Sequence, residues 1–301
     1  MKFLITGGTG LIGKRLTEIL ISKGNTVNIL TRKVKKSNNS SLKFFIWNPS
    51  KSLIDNSCIK NVDIIINLAG SSVFSFWSKA NKKQIIKSRL DSLSIIFDLL
   101  KNKKHNVKRI ISASAIGIYP NDDSMLYFEE SHSISNTFLG KTVIKWESKI
   151  KSFNDININV SIIRIGLVLT EKGGMLEKLL QLNKFRFSST VSGGKQWQSW
   201  IHIDDLVGIF IYIASKKING IINGVSPNPS TFKQIQNLLI KKNNKPIFNF
   251  NLPEYFFTIP FSLIGIIDFY HDIIASNKKV SSKKIQDFGY EFKFPTLEKI
   301  K

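Results

Sequence analysis

The chain holds a single cysteine, Cys58, among 301 residues. One thiol cannot close an intramolecular disulfide, so core packing must hold the fold, as suits a reducing compartment. Histidine is equally sparse, four in all, and neither these nor the acidic residues fall at metal-ligand spacing. No metal site is expected. Long apolar runs are also missing. The longest, about Phe256 to Ile267, is too short to span a bilayer, contains Pro260, and reads as a buried or interfacial helix. The first strand begins at Lys2, which leaves no place for a secretory leader. The expectation is a cytoplasmic protein with no membrane partner.

Negative charge is scarce. Lys and Arg number 44 against 21 Asp and Glu, a formal net charge of +23. A nucleic-acid groove would concentrate arginines and interleave them with aromatics. Only six of the basic residues are arginine, and the lysines are scattered among many asparagines and isoleucines, as an AT-rich coding bias would give. No nucleic-acid partner is expected. The excess charge suits a small anionic ligand.

What the chain does contain is a dinucleotide motif at its start. Phe3-Leu4-Ile5 is an apolar strand. Thr6-Gly7-Gly8-Thr9-Gly10-Leu11-Ile12-Gly13 follows it and opens an amphipathic helix through Leu16, Ile19 and Leu20. Gly7 permits the tight turn, Gly10 lets backbone approach a pyrophosphate, and Gly13 lets the helix pack against the strand. The helix N-terminus then turns its free N–H groups to the phosphates. A second strand, Thr26 to Leu30, ends in Thr31-Arg32-Lys33. An NAD site would place a carboxylate here for the ribose hydroxyl. Arg32 and Lys33 instead suit a 2′-phosphate, so NADP(H) is expected over NAD(H).

Strands are expected at Leu42 to Trp47, Val62 to Leu68, Val107 to Ile111, Val160 to Ile165 and Asn219 to Val225. Helices alternate with them at Lys79 to Lys103, from Asn136 or Thr137 through Glu147, and on to Ala214 with Asp204 as N-cap. This βαβ alternation predicts a Rossmann-type, doubly wound parallel sheet in an α/β protein. Leu68-Ala69-Gly70 would let a cofactor cross the fourth strand's end. Ser112 and Ser114 follow the next strand, where an open sheet binds ligands. Arg89, beside the helix stripe Ile86, Leu90, Leu93, Phe97, Leu100, needs an anionic partner. Glu129 and Glu130 read as solvated. The Rossmann domain is placed at 1–170, also receiving segments of about 200–225. A smaller mixed α/β substrate lobe is placed at 171–301, with a helix at Met175 to Phe185.

These pieces together resemble the extended short-chain dehydrogenase/reductases. Within them the chain resembles the "epimerase family protein" branch, which carries its own C-terminal domain. The match rests on Thr6–Gly13, Asn67–Gly70, Ser112–Ala115 with Gly117 and Tyr119, and Arg164–Leu169 with Gly173-Gly174. It continues through Gly194–Trp197, Ser199–Leu206 and the Phe288-Gly289-Tyr290 … Phe294-Pro295 … Leu297 ending. The resemblance implies a nicotinamide cofactor with Gly166 and Leu167 beside the nicotinamide. It also implies a proton-handling Tyr four residues before a Lys, beside a carbonyl-polarising hydroxyl. Those two slots hold Leu139 and Val143, which cannot titrate. Tyr212 and Lys216 have the spacing but lie on a later helix. Ser114, Tyr119 and Arg89 remain as catalytic candidates, with Gln196, Trp197 and His202 as side chains that could face substrate. The expectation is an NADP(H)-dependent reductase or epimerase-like enzyme, monomer or homodimer, acting on a small or nucleotide-linked anionic substrate. The alternative is a noncatalytic NADPH-binding sensor or scaffold.

Overall fold

The computed structural model describes residues 1–171, 173, 174, 177, 187–242 and 248–300. The expected helix at 175–185 falls outside the described residues except for position 177. The main sheet uses β1 (Lys2–Thr6), β2 (Thr26–Thr31), β3 (Leu42–Asn48), β4 (Leu53–Ile54), β5 (Ile64–Asn67), β6 (Arg109–Ala115), β7 (Asn159–Ile165) and β8 (Gly220–Gly224). Their order across the sheet is β8-β7-β6-β5-β1-β2-β3-β4. β1 pairs parallel with β2 and β5, β2 with β3, and β5 with β6, while β4 closes the edge antiparallel. The strand order reverses between β1 and β5, where a doubly wound sheet opens a crevice at its carboxyl ends. The expected fold class is the one observed.

Helices α1 (Leu11–Ser22), α2 (Lys79–Asn102), α3 (Phe138–Lys151) and α4 (Ile203–Lys216) accompany the strands. α1 buries Gly13, Leu16, Thr17 and Leu20. β5 is buried at every residue, as a strand covered on both faces must be. α2 begins at Ser78, whose Oγ accepts the Asn81 N–H at 3.2 Å. Its buried positions are Ile85, Ser92, Leu93, Ile95, Ile96, Leu99 and Leu100. The apolar stripe is therefore turned from the expected one, and Arg89 stands within the packed face between Ile85 and Ser92. α4 starts one residue before Asp204, which lies in its first turn. His202 supplies the cap instead, its Nδ1 accepting the Asp204 N–H at 3.2 Å.

The chain divides into two compact units, each discontinuous in sequence. The first is Met1–Ser114, Thr142–Ile163 and Val207–Ile221, built on the sheet. Cys58 is fully buried there, and burial pushes its thiol up to about 12, so it is chemically quiet. The second unit is Ala115–Lys141, Arg164–Leu206 and Ile222–Lys301. One of its core clusters gathers Leu169, Trp200, Ile235, Leu239, Leu297 and Ile300. Its helix Tyr255–Leu263 is the apolar run seen in the sequence. It is not buried: Tyr255, Phe256, Ile259 and Leu263 are exposed on it, while Phe257 and Phe261 pack against Tyr270. No described helix is long and apolar enough to cross a membrane.

Lys278 is buried in the second unit, where Nζ donates to Tyr119 O and Asn121 Oδ1, each at 2.9 Å. Burial pulls its ammonium from 10.5 down to about 8 despite Asp272 nearby. Between those two values the unfolded chain binds the additional proton, so stability rises with pH across the window. The expected result is that wild-type stability, measured relative to Lys278→Met, climbs by about 3 kcal/mol from pH 8 to 10.5. Denaturant titrations at stepped pH check this. A flat difference curve would mean the amine carries the same charge in both states.

Candidate dinucleotide site

The glycine turn is built as its sequence requires. Gly7 sits at φ +68°, and a Cβ there would lie 2.7 Å from Leu68 O. A Cβ on Gly13 would lie 2.3 Å from Gly7 O and 2.6 Å from Gly8 Cα. Gly8 packs against the Ile29 side chain in the same way. Gly10 is the N-cap of α1 and no side chain caps the helix, so its first N–H groups are available to an anion.

Under this turn lies a buried polar chain that ties three strand ends together. Thr6 Oγ1 accepts the Leu68 and Ala69 N–H groups at 3.1 Å each and donates to Asn67 Oδ1 at 2.7 Å. Asn67 Nδ2 donates to Ser112 Oγ at 2.9 Å, and Ser112 Oγ donates to Ala113 O at 3.1 Å. Thr6, Asn67 and Ser112 are all fully buried. They form the floor that sets the height of Leu68–Gly70. In the sequence Asn67 is only one member of a motif. Its register opposite both Thr6 and Ser112 is the tertiary fact that gives it this role.

A cleft of about 900 Å³ opens above the floor. Gly7, Thr9 and Gly10 line it after β1. Thr31, Arg32, Lys33 and Lys35 line it at and beyond the end of β2, Trp47 to Ser50 at and beyond the end of β3, and Leu68 to Ser71 past β5. Arg32 and Lys33 are exposed to solvent, so both heads are accessible to a ligand. The lining carboxylate is Asp91 on α2, within 4.0 Å of Lys87 Nζ.

Arg89 lies behind this lining. Its Nη1 donates to Ser71 O at 3.2 Å and Ile85 O at 2.8 Å, and its guanidinium lies 4.9 Å from the Trp146 ring centre. The sequence calls for an anionic partner. The described residues provide two carbonyl dipoles and a π face instead, which together tolerate a buried cation. Burial still pulls the guanidinium down to about 10. Ser88 Oγ accepts the Ser71 N–H at 2.9 Å, so α2 holds the Gly70–Ser71 loop at two points.

The remaining candidates separate. Ser114 Oγ donates to Glu147 Oε1 at 2.7 Å, and both residues are buried. Tyr119, in the second unit, donates to Asn223 Oδ1 and accepts from Arg164 Nη1, each at 2.8 Å. Burial raises its phenol above the ordinary value, against the lowering effect of Arg164. Glu129 is not solvated: it is 6% exposed and Oε1 accepts the Asn223 N–H at 2.7 Å. Desolvation raises its carboxyl above the usual range. Glu130 is exposed and meets Lys284 Nζ at 2.7 Å, as expected of a surface acid. Gly166 and Leu167 also belong to the second unit. Their N–H groups donate to Gly224 O and Ser199 O, and a Cβ on Gly166 would lie 2.2 Å from Ser199 O. Gln196 Nε2 donates to Val191 O, Trp197 N–H donates to Asn277 Oδ1, and His202 stacks on Phe294 at 3.8 Å. Leu139 and Val143 lie on α3 as placed, with Val143 buried. No cluster of metal ligands occurs among the described residues.

Turn, floor, cleft and strand order define a dinucleotide-binding α/β protein. Comparison with known proteins gives the family. Residues 3–224 match the NAD dependent epimerase/dehydratase family. Epimerase family protein SSP1921 of Staphylococcus saprophyticus is 30% identical over 297 residues, covering 98% of this chain and 96% of its own length. Among solved structures, human epimerase family protein SDR39U1 with NADPH superposes with a TM-score of 0.81 at 23% identity, covering 99% of this chain and 97% of that one. MoeE5 in complex with UDP-glucose and NAD gives 0.79 at 16% identity, covering 100% and 96%. The chain belongs to the NAD dependent epimerase/dehydratase family, in the extended short-chain dehydrogenase/reductase group, and that family binds a nicotinamide cofactor. The residues present fit such a group: the glycine cradle keeps Cβ atoms out of the turn, and the uncapped α1 N-terminus offers N–H donors.

Proposed function

We propose that the protein binds NADP(H) and acts as a reductase or epimerase-like enzyme on a small or nucleotide-linked, anionic substrate. The observation that carries the cofactor preference is the trio Arg32, Lys33 and Lys35 on the cleft wall just past β2. A carboxylate there would repel a 2′-phosphate, whereas a guanidinium can pair with it in two hydrogen bonds. The NADPH carried by the human SDR39U1 structure is consistent with this reading. When bound, the cofactor donates or accepts a hydride. Thr6, Asn67 and Ser112 would hold the floor beneath it, with Gly7 to Gly13 around the pyrophosphate and Leu68 to Gly70 beside it. The assignment of Gly166 and Leu167 to the nicotinamide rests on family resemblance alone. The basic surface and the UDP-glucose bound to MoeE5 support a nucleotide-linked substrate.

Arg32→Asp is expected to weaken NADPH binding by about 10- to 100-fold, the worth of a charge-assisted hydrogen bond or two. NADH binding should be unchanged or tighter. Fluorescence titration of both cofactors measures this. Equal losses for both, or a wild type that prefers NADH, would overturn the NADP(H) reading. A second reading, a noncatalytic NADPH-binding sensor or scaffold, draws on Leu139 and Val143 in the slots for the tyrosine and lysine. Titration with NADPH leaves both readings standing. Turnover of any carbonyl or nucleotide-sugar probe separates them.

A further inference from the structure

Glu147 is buried, 3% exposed, and receives the proton-bearing hydroxyl of Ser114 at 2.7 Å. Both residues lie in the first unit, Ser114 at the carboxyl end of β6 and Glu147 on α3. Leu139, Val143 and Glu147 are spaced four residues apart, so they fall on one stripe of α3. That stripe carries apolar side chains where the family resemblance calls for tyrosine and lysine, and a carboxylate one turn further on. Ser112 is two residues earlier on β6 but is tied to Asn67 and to a backbone carbonyl. Of the two strand-end serines, Ser114 is the one whose hydroxyl faces a proton acceptor. A buried carboxylate is costly unless it is hydrogen-bonded, and this one is held against a hydroxyl at the carboxyl end of the sheet, where such folds bind ligands.

We propose that Ser114 and Glu147 form a proton relay that stands in for the absent tyrosine–lysine pair. The proposal rests on the reading of this protein as a nicotinamide-dependent enzyme. For an alcohol substrate, the O–H proton passes to Ser114 Oγ while the proton of Ser114 passes to Glu147 Oε1. The C–H electron pair leaves as hydride to an oxidised nicotinamide dinucleotide, and the C–O bond becomes a carbonyl. Serine is regenerated and Glu147 ends as a carboxylic acid, which returns its proton to solvent. Carbonyl reduction is the reverse sequence. Ser114 touches the reacting oxygen, and Glu147 acts through Ser114.

The test uses the full chain with NADP⁺ and a panel of UDP-hexoses as probe alcohols, followed by NADPH formation. Glu147→Gln is expected to lower turnover by about 100-fold or more, the usual contribution of a general base. It should leave NADP⁺ affinity unchanged. Glu147→Asp should restore part of the rate. Ser114→Ala should match the Gln variant, and the double variant should be no worse than either single one. A readout independent of turnover is the infrared carboxylate stretch of Glu147 in the cofactor-free protein, assigned by its loss in Glu147→Gln. Ser114→Ala should shift the Glu147 carboxylate band, because the carboxylate loses its O–H donor. Where Glu147→Gln does not fold, Glu147→Asp and Ser114→Ala carry the same comparisons. Wild-type turnover in the Gln variant, or a Glu147 infrared band unmoved by Ser114→Ala, overturns the relay. So does NADP⁺ binding with no probe oxidised, and that outcome leaves the cofactor reading intact. Failure to bind NADP⁺ at all overturns the proposed function and the relay with it.

Discussion

Gly13→Ala is expected to abolish measurable cofactor binding and to cost about 3 kcal/mol or more of stability, the upper range of overpacking. The added methyl would stand 2.3 Å from Gly7 O, 2.6 Å from Gly8 Cα and 2.9 Å from Gly8 C. All three are backbone atoms, so no side chain can swing aside. The turn cannot retreat either, because Gly7 at φ +68° is already close against Leu68 O and Ala69 N. α1 must therefore tilt away from β1, carrying with it the N–H groups proposed to meet the pyrophosphate. Displacing those donors by even an ångström removes most of their value. Gly24→Ala is the matched control. Gly24 has φ +75°, but a methyl added there would meet nothing within 4 Å, so only the conformational cost of about 1 kcal/mol applies. Thermal denaturation of both variants and NADPH titration by fluorescence check the pair. If Gly13→Ala binds NADPH like the wild type, the turn is not what positions the phosphates.

The glycine turn and the basic wall of the candidate cleft are legible in the sequence because they are written locally. Glycine spacing, strand periodicity and the identity of residues 32 and 33 are properties of short stretches, and Arg32 and Lys33 line the cleft that those stretches predict. The polar floor is not legible, since Thr6, Asn67 and Ser112 are far apart in sequence and meet only through strand register. Glu129 shows the same limit in reverse. A glutamate in a polar loop reads as solvated, yet the Asn223 N–H draws it into the interior of its unit. Arg89 reads as lying beside a stripe that is in fact turned by one position, and periodicity over a 24-residue helix with apolar residues on several sides cannot distinguish the two. Its guanidinium is satisfied by carbonyls and an indole face, partners that composition does not advertise. Glu147 is equally silent, because a hydrogen bond from a strand-end serine to a residue 33 positions away leaves no mark in either local sequence.

Asp205→Ala is expected to lower the stability of the second unit by about 3–5 kcal/mol, the loss of two hydrogen bonds to a charged group. The carboxylate is fully buried. Oδ1 accepts the Lys293 N–H and Oδ2 the Phe294 N–H, both at 2.8 Å, while Tyr290 donates its hydroxyl to Asp205 O at 3.0 Å. One side chain therefore fixes the backbone just before the segment that places Leu297 and Ile300 in the core with Trp200 and Leu239. Alanine leaves the two N–H groups without their carboxylate acceptor and frees that segment together. At roughly 2–4 °C per kcal/mol for a unit of this size, the melting midpoint should fall by about 10 °C. Hydrogen exchange at the Lys293 and Phe294 amides should quicken before the unit melts. Burial holds the Asp205 carboxyl above its ordinary value despite the two N–H donors, so its own ionisation opposes folding. Stability from this group is fullest at low pH and falls as pH rises through the interval between the unfolded and raised folded values. The variant should accordingly lose that downward slope along with its stability. Asp204→Ala, one residue earlier in the first turn of α4, serves as the comparison. It gives up a helix-terminus charge worth about 0.3–1 kcal/mol. If the two variants melt together, the clamp on residues 293 and 294 does not hold the tail.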